Sequence, residues 1–224
     1  FGSGAVASRL LSGDLKIHHE LEELTASFKK KEDALIFNSG YQANVGIISA
    51  LCGKSDAIFL DRLSHASLID GALLSGAKIF RFSHNDLNHL ELLLKKEREK
   101  FKSALIVTES VFSMDGDFAP LKEIVDLKDR FSCDLLVDEA HATGVYGSEG
   151  SGLIEELGLT DRVELIMGTY GKALAVSGAY LATSKKVKEY LINSSRSFIY
   201  STAMPAIVVS MIIKSIDICK KEYW

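Results

Sequence analysis

The sequence predicts an α/β fold: a mainly parallel but mixed sheet of seven strands, sandwiched by helices. Three observations carry this. Short apolar runs alternate with longer amphipathic stretches along the whole chain. Polar, chemistry-bearing residues follow directly after the apolar runs, where such sheets collect ligands. No internal repeat, low-complexity tract or linker interrupts the alternation.

Taken in order, the candidate strands are residues 34–37, 57–60, 78–82, 104–108, 134–137, 164–167 and 179–183. Each is a short run rich in Leu, Ile, Val, Phe or Ala, too short to be read as a helix. Between them, amphipathic spacing predicts helices near 18–30, 43–51, 66–75, 87–101, 121–131 and 186–193, with a last one over 206–221. Pro120 and Pro205 fit helix N-termini, where a missing N–H costs nothing.

Bulk composition narrows the function classes. A chain of 224 residues with 47% hydrophobic content can bury a sizeable core and is expected to form one domain, or one plus a fragment. The net charge of -4 gives no reason to expect a nucleic acid or an anionic membrane as partner. Cys52, Cys133 and Cys219 are too far apart for a metal site or a disulfide framework, so no metal is expected and the thiols are read as reduced. The first twenty residues hold Arg9, Asp14 and Lys16 and no apolar core of a secretion signal. No apolar run is long enough to cross a bilayer, and a cytoplasmic location is expected. The chain starts at Phe1 and stops at Trp224 after a helix-like stretch, which reads as a piece of a longer protein.

Five polar loops fall on one rim of the expected sheet. They are Asn38-Ser39-Gly40, the turn from Asp61 to His65, the stretch from Glu109 to Gly116, Asp138-Glu139-Ala140-His141, and Gly168-Thr169-Tyr170-Gly171-Lys172. Lys172 lies among small and apolar neighbours, Ala173-Leu174-Ala175, unlike the solvated Lys185 and Lys186. Burial there would lower its pKa and free the amine as a nucleophile. Asp138 could be a plain loop or N-cap aspartate. A carboxylate about 4 Å from a pyridinium nitrogen, however, gains on the order of 4 kcal/mol, and keeps the ring protonated. A Schiff-base amine together with such an acid is what pyridoxal phosphate (PLP) asks of a protein. Gly40 and Tyr41 open a helix whose N–H groups suit a phosphate, and Thr169 could add a hydroxyl. Ser3-Gly4 and Ser12-Gly13 make a flexible opening loop, and no nucleotide-binding glycine motif is present.

Several runs resemble the α-oxoamine synthases, PLP enzymes of the aspartate aminotransferase fold (fold type I). They are Ser8-Arg9-Leu10-Leu11-Ser12-Gly13, Asp61-Arg62-Leu63-Ser64-His65-Ala66-Ser67, Val111-Phe112-Ser113-Met114-Asp115-Gly116-Asp117, Asp138-Glu139-Ala140-His141-Ala142-Thr143-Gly144 and Tyr200-Ser201-Thr202-Ala203-Met204-Pro205. The similarity runs through nearly the whole chain in the right order. It implies Lys172 as the Schiff-base lysine, Asp138 as the pyridine-nitrogen partner and His65 stacked on the ring. It implies His141 and Ser113 on the ring-oxygen side, and Gly40, Tyr41 and Thr169 at the phosphate. Thr202 would reach the phosphate of a neighbouring subunit, since family sites form at a homodimer interface. Arg9 and Glu109 would lie near substrate. Ala175 stands where the family commonly has glycine.

The resemblance further implies that residues 1–224 are the large PLP-binding domain, incomplete, without the family's N-terminal segment and small C-terminal domain. The stretch 113–120 and Ala142-Thr143-Gly144-Val145 are most similar to the branch that joins L-alanine to pimeloyl-CoA or pimeloyl-acyl-carrier protein in biotin synthesis. The branches using glycine with acetyl or succinyl thioesters, or serine with long acyl thioesters, are the alternatives. A third reading is a non-catalytic PLP-binding or dimerisation module.

Overall fold

The computed structural model describes residues 4–222; Phe1, Gly2, Ser3, Tyr223 and Trp224 lie outside the described residues. Seven strands are present: β1 (Asp33–Phe37), β2 (Ala57–Asp61), β3 (Lys78–Phe82), β4 (Ala104–Glu109), β5 (Asp134–Asp138), β6 (Leu165–Thr169) and β7 (Ala179–Thr183). They form one sheet in the order β1-β7-β6-β5-β4-β2-β3. β7 runs antiparallel to both β1 and β6, and the other pairs are parallel. The expected mixed, mainly parallel sheet is therefore what forms.

The helices are α1 (Lys16–Phe28), α2 (Gly40–Leu51), α3 (Ala66–Ser75), α4 (Leu87–Glu97), α5 (Leu121–Arg130), α6 (Leu153–Glu156), α7 (Lys185–Ser194), α8 (Arg196–Ile199) and α9 (Ala206–Lys221). Two apolar clusters, one on each face of the sheet, hold the layers together. Ile47, Ile48, Leu68 and Leu191 pack with Leu136, Val107 and Met167 on one face. Leu21, Leu94, Ile124 and Val209 pack with Val137, Ile106 and Ile166 on the other. Truncating any one of these fully buried side chains to alanine is worth about 2–5 kcal/mol.

The period of two along a strand fixes which face each rim residue joins. Asp138 follows the parity of Leu136, Glu109 that of Val107, and Thr169 that of Met167. All three therefore point to the face covered by α2. Asp61 follows the parity of Phe59 and points to the opposite face.

Some boundaries differ from expectation. The first helix begins at Lys16, where His18 Nδ1 accepts the Leu15 N–H at 3.0 Å. It ends at Phe28 because Lys29 turns inward to the buried Glu139 and Lys30 takes φ +53. The helix expected over 87–101 stops at Glu97 and tightens into a 3-10 turn, Arg98–Lys100, where the Arg98 guanidinium takes the carbonyls of Phe101 and Ser132. The sixth strand slides to Leu165–Thr169, since the Glu164 carboxylate is held by Lys128 and accepts the Leu135 N–H. The short helices α6 and α8 and the 3-10 turn Thr160–Arg162 are too brief to show a period in sequence.

Candidate active site

β4, β5 and β6 end side by side, in parallel register, at the rim where the polar loops gather. Glu109 stands opposite Asp138, and Asp138 opposite Met167. Asp138 is buried, its Oδ1 accepting the Ala140 N–H at 2.9 Å and its Oδ2 accepting from Asn44 Nδ2 at 2.9 Å. Asn44 sits on the buried face of α2 and also donates to Ser67 Oγ at 2.9 Å. Ser67 in turn donates its N–H to His65 Nδ1 at 3.2 Å, with its Oγ 2.8 Å from the same nitrogen. Nδ1 is thus an acceptor, which leaves the ring proton on Nε2. A continuous polar chain runs from Asp138 through Asn44 and Ser67 to His65, and His65 itself caps α3.

Glu109 is buried and its Oε1 accepts the His65 N–H at 2.6 Å. Burial, reinforced by the negative charge of Asp138, pushes its carboxyl up to about 7, against the pull of the His65 N–H and the Lys172 ammonium. His141 is half-buried, and its imidazole is held below the usual range by burial first and then by the Lys172 charge. A neutral imidazole and a carboxyl poised near neutrality therefore flank Asp138.

α2 opens at Gly40 behind its N-cap, Ser39, whose Oγ accepts the Gln42 N–H. A Cβ at Gly40 would come within 2.8 Å of Thr169 Cγ2, so only glycine leaves the helix entrance clear. Thr169 Oγ1 is buried and has no hydrogen-bond partner among the described residues. A buried hydroxyl without a partner is costly unless a ligand completes it. Tyr41 is half exposed and its hydroxyl donates to Asp70 Oδ2 at 2.6 Å.

Lys172, Asp138, His65 and His141 line one cavity of about 180 Å3, together with Thr169, Gly40, Tyr41 and Glu109. Eight of the residues selected from sequence thus converge on one place. Three do not. Ser113 is exposed on a turn of the loop after β4. Thr202 is exposed, its carbonyl accepting from Asn38 Nδ2 at 2.7 Å, and it borders a separate narrow cleft with Arg9. The Arg9 guanidinium is bound to the buried Glu22 and to Asp14, because a carboxylate that buried requires a counter-charge. The expected burial of Lys172 is corrected. Its side chain is exposed, because the chain turns outward after β6 through a loop held by Ala175 N–H to Lys172 O and Val176 N–H to Tyr170 O, both 2.9 Å.

Sequence reasoning missed Asn44 and Ser67. The signal was present at Asn44, a single amide among Ala43, Ile47 and Ile48 on an otherwise apolar helix face.

The profile of the family described as aminotransferase class I and II matches residues 3–222. The 8-amino-7-oxononanoate synthase of Geotalea daltonii is 53% identical over 99% of this chain and 56% of its own length. Among solved structures, a serine palmitoyltransferase from S. paucimobilis with a bound PLP–myriocin aldimine superposes with a TM-score of 0.94 at 36% identity, covering 98% of this chain and 55% of that one. The 8-amino-7-oxononanoate synthase of Francisella tularensis gives 0.82 at 32% identity, over 93% and 60%. The chain spans about 56% of the length of the curated relatives it matches.

Proposed function

The chain belongs to the aminotransferase class I and II family, and on that premise we propose that it is a PLP-dependent α-oxoamine synthase that condenses L-alanine with pimeloyl-CoA or pimeloyl-acyl-carrier protein, releasing CO2 and the free thiol of the carrier and giving 8-amino-7-oxononanoate. The observation that carries the reading is the convergence of Asp138, Lys172 and the partnerless Thr169 Oγ1 on one cavity at the C-terminal rim. The names of relatives near half identity support the choice of product.

The residues fit the cofactor. Thr169 Oγ1 and the first N–H groups of α2, at Gly40 and Tyr41, would hold the phosphate, a pairing that the missing Cβ at Gly40 leaves open. Asp138, oriented from two sides by Asn44 and the Ala140 N–H, would hold a proton on the pyridine nitrogen by its charge. His65 would lie against the ring face, its plane set by Ser67, and His141 with Ser113 would face the ring oxygen. When bound, PLP supplies an electron sink for negative charge at the amino-acid α-carbon.

Lys172 Nζ would carry the cofactor and then take the α-proton from the amino acid, a task its exposed side chain can perform from the rim. Glu109 would stand beside the substrate, able to hold or release a proton near neutral pH. Thr202, away from this cavity, would serve the phosphate of a second copy in a homodimer.

The test is turnover with a panel of amino acids and thioesters. L-Alanine with a pimeloyl thioester is expected to be the preferred pair. A clear preference for glycine with acetyl or succinyl thioesters would overturn the assignment. Preference for serine with a long acyl thioester would favour the activity named for the S. paucimobilis neighbour. PLP binding without any turnover would favour a non-catalytic module.

A further inference from the structure

We propose that His84 is a positioning residue for the site: its imidazole bridges Asp61 and Asp117 and so fixes the two rim loops that carry His65 and Ser113. His84 follows β3, an edge strand that itself contributes nothing to the cavity. Its Nδ1 lies 3.0 Å from Asp61 Oδ1 and its Nε2 2.7 Å from Asp117 Oδ2. Asp61 ends β2 and is fully buried on the face of the sheet opposite Asp138. The same carboxylate accepts the Leu63 N–H at 2.8 Å and the Asn85 N–H at 3.0 Å, shaping the turn that leads to His65.

Asp117 belongs to the loop after β4. That loop closes on itself through Phe112 N–H to Asp117 O at 3.0 Å and Gly116 N–H to Phe112 O at 2.9 Å, with a single bridge between Val111 and Phe118. The buried Phe112 ring meets the His84 ring edge-on at 4.4 Å between centroids. Asn85, at φ +54, adds Nδ2 contacts to Asp117 Oδ2 at 2.9 Å and to the Phe118 carbonyl at 3.1 Å. The loop carrying Ser113 is thus moored at its far end to the strand that launches the His65 turn.

Both ring nitrogens face carboxylate oxygens at 3.0 and 2.7 Å, closer than the Asn85 amide at 3.3 Å from Nε2, an arrangement that favours two donors, and only the imidazolium has two N–H donors. The charged groups facing His84 are Asp61 from the end of β2 and Asp117 from the loop. Burial works against the charge, but the two carboxylates outweigh it and raise the imidazole above its ordinary 6.5. A raised folded value means that the mooring is complete below the ordinary value and is lost as pH rises through the raised one. Its bearing on cofactor binding rests on the function proposed above.

The test is amide exchange across the 224-residue chain, with His84→Gln and, as a milder change at a partly exposed site, Asp117→Asn. Exchange at Phe112 and Gly116, corrected for the intrinsic pH effect, is expected to quicken about 10- to 100-fold in either variant, the range that a charge-assisted hydrogen bond carries. Exchange in β5 and β6 should stay unchanged. In the unmodified chain the same amides should lose protection as pH rises above the ordinary histidine range, and that pH profile should vanish in His84→Gln and weaken in Asp117→Asn, where the Asp61 contact remains, which a merely structural residue would not produce. Loop exchange unaltered in both variants, or free of pH dependence in the unmodified chain, would overturn the proposal. If the unmodified chain bound no PLP while His84→Gln still loosened the loop, the mooring would stand and only the function above would fall.

Discussion

Asn44 Nδ2 lies 2.9 Å from Asp138 Oδ2, joining the first turns of α2 to the end of β5 across the buried face of the sheet. The contact ties the helix that opens at the rim glycine, Gly40, to the carboxylate of the cavity. Asn44→Ala leaves Asp138 with the Ala140 N–H alone. We expect a loss of about 1–2 kcal/mol in urea unfolding and a roughly tenfold weaker affinity for PLP in an absorbance titration.

Glu109 sets a pH dependence. Its carboxyl stands at about 7 in the folded chain against an ordinary value of 4.5. Between those values the folded state keeps a proton that the unfolded chain has released, so the contribution of Glu109 to stability falls as pH rises through that window. Glu109→Gln removes the effect. Its stability relative to the parent chain should rise by on the order of 3 kcal/mol from below pH 4.5 to above 7, read from urea midpoints.

Gly40→Ala separates stability from binding. Alanine gains about 1 kcal/mol of helix propensity, which offsets the push on the Thr169 methyl. Thermal unfolding is expected to change little, while inorganic phosphate and PLP should each bind about tenfold more weakly as the helix entrance closes.

Ala175 holds φ +54, a left-handed conformation, in the loop just after Lys172. A side chain there costs about 1–2 kcal/mol, partly returned by the greater freedom glycine has when unfolded. Ala175→Gly should therefore be neutral to about 1 kcal/mol more stable in denaturant melts, and Ala175→Val should lose more than that.

The sheet and eight of the site residues were legible in the sequence because both follow from local rules. Apolar runs of four or five residues marked the strands, and polar residues immediately after them marked the rim. Ala175 stands where the resembled family commonly has glycine, and its positive φ gives the physical reason. Asn44 stood out as an amide on an apolar helix face, but its partner Asp138 depends on α2 crossing over β5, a tertiary contact that local sequence does not show. The ion pair of Arg9 was not legible for a similar reason, since its partner Glu22 is drawn into the interior only when α1 packs on the sheet. The exposure of Lys172 was hidden because its neighbours are small and apolar, and composition does not reveal the direction in which a loop turns.

The most direct measurement of the central claim is covalent trapping of the cofactor. The 224-residue chain is mixed with PLP, reduced with borohydride, digested and mapped by mass spectrometry. A single phosphopyridoxyl group on the peptide containing Lys172, lost in Lys172→Ala and weakened in Asp138→Asn, is the expected result. Labelling scattered over exposed lysines such as Lys185 and Lys186, or persisting undiminished in Lys172→Ala, would contradict it.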